Sequence, residues 1–138
     1  MRTSTRATLA TLAFLPLFTG VAAAEPLATF TPANFEFGKI QVGDPGKATV
    51  TVKNTGDEPL IIKGAKPSCT CLTVTAPTEP IMPGQSAPIV AVYDTRASGP
   101  IAKSVALTLN TVTGAHILGT RGYVNAPADP ANGFAPKP

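Results

Sequence analysis

The chain has 138 residues, which is one domain's worth and too few for two. Eleven Lys and Arg stand against eight Asp and Glu. The basic residues are spread along the chain, with two Tyr and no Trp among them, so the clustered basic face that nucleic-acid binding needs is missing.

The first segment reads as a targeting signal. Arg2 and Arg6 form a positive start, residues 7–21 are an apolar run, and Ala22-Ala23-Ala24 supplies a small-residue cleavage site before Glu25-Pro26. The run is shorter than the roughly 20 apolar residues of a membrane span, and no second such run follows, so stable membrane insertion is not expected. Residues 1–24 are therefore expected to be a signal peptide, and the protein to be periplasmic or secreted. Once Arg2 and Arg6 leave with the signal, nine basic residues face eight acidic ones, and the basic balance of the whole chain largely disappears.

Residues 25–138 carry no long helical periodicity. Short runs rich in Val, Ile and Thr alternate with Pro and Gly turns at about ten-residue spacing, the signature of an all-β sandwich or small barrel. Residues 27–30 and 34–37 read as an opening strand broken by Pro32, followed by a short piece at 40–42 after Gly38. Residues 47–53 alternate, with Ala48, Val50 and Val52 on one face. Asn54-Thr55-Gly56-Asp57 reads as a turn with positive φ at Gly or Asn. Strands follow at 60–65 and 69–74, then a proline-rich loop over 76–83 and a tight turn at Pro83-Gly84. Residues 87–93, 102–109 and 115–124 read as the last strands, separated by loops at 94–100 and 110–114. Short reversals favour antiparallel neighbours. Val50, Val52, Leu60, Ile62, Val105 and Leu107 are the expected core. Residues 125–138, with four prolines, read as a disordered tail. The expected fold is an immunoglobulin-like antiparallel β-sandwich of about seven strands over residues 25–124.

An ordered series of landmarks runs through this pattern: Phe35-Glu36-Phe37-Gly38, Asn54-Thr55-Gly56, Pro59-Leu60, Ser68-Cys69-Thr70-Cys71, Pro83-Gly84-Gln85, Tyr93-Asp94-Thr95 and Gly122-Tyr123-Val124. In this series the chain resembles the bacterial domain-of-unknown-function family 1573, which is similar to hydin-like and major-sperm-protein-like immunoglobulin domains. The resemblance covers roughly residues 30–124. It implies an immunoglobulin-like sandwich and an exported location, and it brings no established activity. Thr70 departs from the family pattern, which often has Gly between the two cysteines.

Cys69 and Cys71 are the chain's only cysteines. In an extended segment both thiols lie on one face, with Cα atoms about 6.6 Å apart after two strand rises. Disulfides span about 4.4–6.8 Å, so a bond is within reach. It would close a three-residue loop, for which chain entropy gives only about 1.6 kcal/mol. Three readings stay open: a local disulfide that pins the turn at 68–72, a redox-active pair, and a soft-metal site suited to copper(I). Met82 and His116 could join a metal site only if the fold brings them close; His116, as a lone histidine on a strand, reads as an ordinary surface or interface residue. Hydrolytic catalysis has little to stand on, with one His and no Gly-x-Ser-x-Gly, and Asp57-Glu58 sit in a turn exposed to solvent. The expected function is non-enzymatic: binding or scaffolding of an envelope protein, with thiol redox or copper(I) handling at Cys69 and Cys71 as the alternative.

Overall fold

The computed structural model describes Gly20 and residues 23–127. The expected signal peptide and proline-rich tail lie outside these residues, apart from their inner ends. Among the described residues nine strands form: β1 (Ala28–Thr31), β2 (Asn34–Gln41), β3 (Gly46–Asn54), β4 (Ile62–Pro67), β5 (Leu72–Thr75), β6 (Ser86–Tyr93), β7 (Gly99–Ile101), β8 (Ser104–Leu109) and β9 (Ala115–Asn125). They make two sheets, one ordered β1-β3-β6-β5 and the other β2-β9-β8-β4, with β7 also on β9. The sheets do not close on each other as a barrel. They pack as an immunoglobulin-like sandwich, in which alternate residues of both inner faces build the core.

β3 shows why the sequence folds this way. Its odd and even positions separate cleanly, every second residue from Gly46 to Asn54 being buried and the rest exposed. Val50 and Val52 meet Leu60, Ile89, Leu107, Leu118 and Phe35 in one continuous core. All six expected core residues are buried.

Four local expectations are corrected. Gly38 does not end the opening segment: with φ at +66° it sits in a bulge, and β2 continues to Gln41. β2 also pairs parallel to β9. The preference for antiparallel neighbours governs strands joined by short reversals, and these two lie at opposite ends of the domain. The loop expected at 94–100 contains the start of β7. Strands β7 and β8 share a single register along β9, interrupted at Ala102-Lys103, where Thr120 Oγ1 accepts from the Lys103 N–H at 2.7 Å. Pro100 fits in β7 because it occupies a non-hydrogen-bonded pair with Tyr123, where no N–H is needed. Finally, Asn125, expected in the tail, is the last residue of β9.

Gly56 also differs from its expected role. None of the residues in the Asn54–Asp57 turn has a positive φ. Gly56 is instead required for close approach: a Cβ there would lie 2.1 Å from the Glu25 carbonyl oxygen and 2.5 Å from the Leu27 nitrogen. Residues 25–27 are laid against this turn, with the Asp57 N–H donating to Glu25 O at 3.1 Å and the Thr55 N–H to Leu27 O at 2.9 Å. Gly56→Ala is expected to lift residues 25–27 away and cost roughly 1–3 kcal/mol, the worth of two hydrogen bonds with some packing. Hydrogen exchange should then speed up at the Asp57 and Thr55 amides while the β3–β6 ladder stays protected.

Candidate functional site

The turn that carries the cysteines lies between β4 and β5. Residues 69–71, expected from sequence to be extended, instead turn, and β5 begins only at Leu72. The turn is closed by the Leu72 N–H donating to Cys69 O at 3.4 Å. It is held on both sides. The Ser68 N–H donates to Ser104 O at 2.8 Å, and the Ser104 N–H returns to Ser68 Oγ at 3.1 Å. The Asp94 N–H donates to Cys71 O at 2.8 Å. Turning brings the two Cα atoms to 5.3 Å, inside the usual range for a disulfide and closer than an extended segment would allow, and Cys69 and Cys71 are bonded to each other. Both residues are half-buried, and Cys69 packs against the core.

The soft-metal candidates do not converge on this turn. Cys71 lies at the Tyr93 end of β6, while Met82 lies beside its Ser86 end, through Gln85 N–H donating to Met82 O. The two ends are seven strand rises apart, about 23 Å. His116 is in β9 and stacks on Phe30 of the opposite sheet, with ring centroids 4.3 Å apart. Among the described residues no three His, Cys, Asp or Glu side chains are grouped to hold a metal ion.

Beside the cysteine turn, Asp94 holds Arg96. Arg96 donates from its backbone N–H and its Nε to the carboxylate, and a further guanidinium nitrogen completes a forked pair. The side-chain hydrogen bond from Arg96, then the backbone one, holds the Asp94 carboxyl below its ordinary range, and the carboxylate in turn raises the guanidinium. Arg96 is almost fully exposed, so the pair contributes little to stability. It shapes the loop before β7.

With so short a ring and so many backbone bonds around it, the disulfide is not what holds the turn. Changing both Cys69 and Cys71 to Ser is expected to shift unfolding free energy by under about 2 kcal/mol. Chemical denaturation under non-reducing conditions checks this, and a variant that fails to fold would make the bond structural.

A second feature lies at the opposite end of the sandwich, and sequence reading missed it. Of the seven exposed large apolar side chains among the described residues, Leu27, Ile61, Met82 and Val112 belong to loop segments at the Asn54 end, and Val92, Ile117 and Tyr123 lie on strands β6 and β9. Leu27 accepts from Thr55, Ile61 from Asn110, and Met82 precedes the turn that bonds Gly84 to Asn54 O. Val112, at 77% exposure, tops the turn between β8 and β9. The available signal was apolar residues inside turn segments, Met82 among prolines and Val112 between Asn110 and Gly114, where solvent-facing loops are usually polar.

Among the described residues no helix is long and apolar enough to cross a membrane. The chain is similar to a protein of unknown function from Porphyromonas gingivalis W83, with a TM-score of 0.64 at 18% identity. That match covers 78% of this chain and 51% of the other, so the chain spans about half of that protein's length. It is also similar to the ASH/PapD-like domain 7 of human CEP192, with a TM-score of 0.54 at 9% identity, covering 88% of this chain and 97% of that one. At these identities both likenesses concern the fold alone. A comparison with curated proteins finds no match. Residues 28–124, from the first strand to the end of the last, match the model of the family described as protein of unknown function DUF1573, and the chain belongs to that family.

Proposed function

We propose that the mature domain is an exported, non-enzymatic binding module that positions a partner protein at the cell envelope. The observation that carries this reading is the apolar end of the sandwich. Four large apolar side chains from four separate segments are exposed at that end, on a scaffold whose backbone is well held by its ladders. Exposed apolar groups in one place are a mark of interaction surfaces, and the end loops of sandwiches are common binding sites. Export follows from the reading of residues 1–24 as a signal peptide.

Photo-crosslinking in the cells that make the protein tests it. A photoreactive residue at Val112 or Met82 should give a discrete crosslinked product in the envelope or extracellular fraction, and one at Thr49, on the outer face of β3, should not. Equal products at all three positions, or none, would contradict the reading.

A further inference from the structure

The same end of the sandwich has an open corner. β2 covers the outer edge of β9 only from Gly119 onward, starting with the pair Asn34 and Gly119. There the Asn34 side chain caps the edge, Oδ1 accepting from the Gly119 N–H at 3.2 Å. Residues 115–118 of β9 have β8 on one side and, among the described residues, no strand on the other.

The register identifies the groups left over. Leu109 N–H donates to Gly114 O, and Thr120 N–H to Lys103 O at 2.8 Å, which sets the alternation along the β8–β9 ladder. His116 and Leu118 therefore bond towards β8, and the N–H and C=O groups of Ala115 and Ile117 point into the gap. Behind the gap, on the core side, is a cleft of about 100 Å³ whose lining includes Leu27, Ala28, Phe30, Leu109 and His116. No acidic residue, Lys or Arg lines it. The imidazole of His116 and the ring of Phe30 lie flat together across it, 16° apart.

We infer that this corner takes an extended peptide segment from a partner protein, which adds as a strand to the 115–118 edge of β9 in line with β2 and sets an apolar side chain into the cleft. Two observations specify the occupant. Alternating, unpaired backbone groups are matched by another extended backbone. A cleft of this size, lined by no acidic residue, Lys or Arg, has room for about one apolar side chain, and a cationic group would find no carboxylate there. The two end strands of this sheet's main path, β4 and β2, are less suited. β4 carries Lys63, Lys66 and a bulge, and β2 carries Glu36, Lys39 and a bulge, the devices by which edges are closed to pairing. The inference rests on the binding reading above and names the place and chemistry of the contact.

The probe is a synthetic peptide of alternating Val and Thr, flanked by Lys for solubility and ending in Trp. The protein has no Trp, so the fluorescence anisotropy of the peptide reports binding directly. With the mature protein, saturable binding is expected. At saturation, exchange of the Ile117 amide should slow by at least about tenfold, while the His116 and Leu118 amides, already bonded to β8, stay as they were. Ile117→Pro removes the donor that faces the gap and leaves the β8 ladder intact, and Ala28→Phe fills the cleft. Each should weaken binding by about tenfold or more, the effect of losing one hydrogen bond or one seated side chain. Should Ile117→Pro fail to fold, Ala28→Phe carries the test. Binding unchanged in the folded variants would overturn the inference, as would no binding at all. An Ile117 amide already protected in the free protein would also overturn it, because the chain itself or a second copy, read by sedimentation, would then fill the gap. A Val112 crosslink to an envelope protein that survives Ala28→Phe would remove the corner as the contact and leave the binding reading in place.

Discussion

Asn54→Ala is expected to lower the free energy of unfolding by about 3 kcal/mol. Asn54 is completely buried at the end of β3, and its side chain makes three bonds. Nδ2 donates to Glu58 O at 2.7 Å and to Ile81 O at 2.8 Å, and Oδ1 accepts from the Gly56 N–H at 3.0 Å. Each bond is worth about 1 kcal/mol net, and a buried group left without a partner costs more. Ile81 O keeps the Leu60 N–H at 2.9 Å, so the orphaned groups are the Glu58 carbonyl and the Gly56 N–H. Asn54→Asp separates the roles of the two side-chain atoms. It keeps an acceptor for Gly56 but sets a carboxylate against two carbonyls, and it should be at least as damaging as alanine. Urea denaturation of the two variants measures both effects. A midpoint within error of the parent for Asn54→Ala would mean that the side chain does not tie the loops at this end together.

Phe35→Ala should cost about 3–5 kcal/mol, through lost transfer energy and the cavity left behind. Phe35 is fully buried in β2, the strand that locks the first segment of the domain onto the last through its parallel ladder with β9. The core cluster it belongs to draws on both sheets, and β2 packs against both β3 and β9, so neighbours have little freedom to collapse inward. Domains of this size are stable by about 5–15 kcal/mol, so the variant should be near the limit of folding. Ile117→Ala, at a position 69% exposed, makes the control and should stay within about 0.5 kcal/mol of the parent. Equal midpoints for the two variants would mean that the core is not where the structure puts it.

Much of the fold was legible because the chemistry of its strands is local. In β3 and β8 a period of two is written directly into the residues, and Val50, Val52, Val105 and Leu107 follow from it. Turns at Gly84 and Gly114 were legible for the same reason, since both glycines take positive φ. What failed depends on distant partners. Nothing within residues 34–41 says that they lie parallel to a strand eighty residues later, and nothing around Gly56 says that residues 25–27 will press on it. β7 was hidden by Pro100, a strand breaker everywhere except at a pair that needs no donor. The cysteine pair was visible as a candidate, but its conformation was not, because Ser104 and Asp94 hold the turn from other parts of the chain. The open corner at β9 could not be read at all. It arises where two strands end at different heights, which is a property of the assembled sandwich.

Partner binding through the surface, with the sulfurs as bystanders, is tested most directly by photo-crosslinking from Val112 in cells carrying Cys69→Ser and Cys71→Ser together. The double variant should fold, reach the same compartment and give the same crosslinked product in the same yield as the parent. A folded, exported double variant that loses the product would contradict the account and place the function in the cysteine turn.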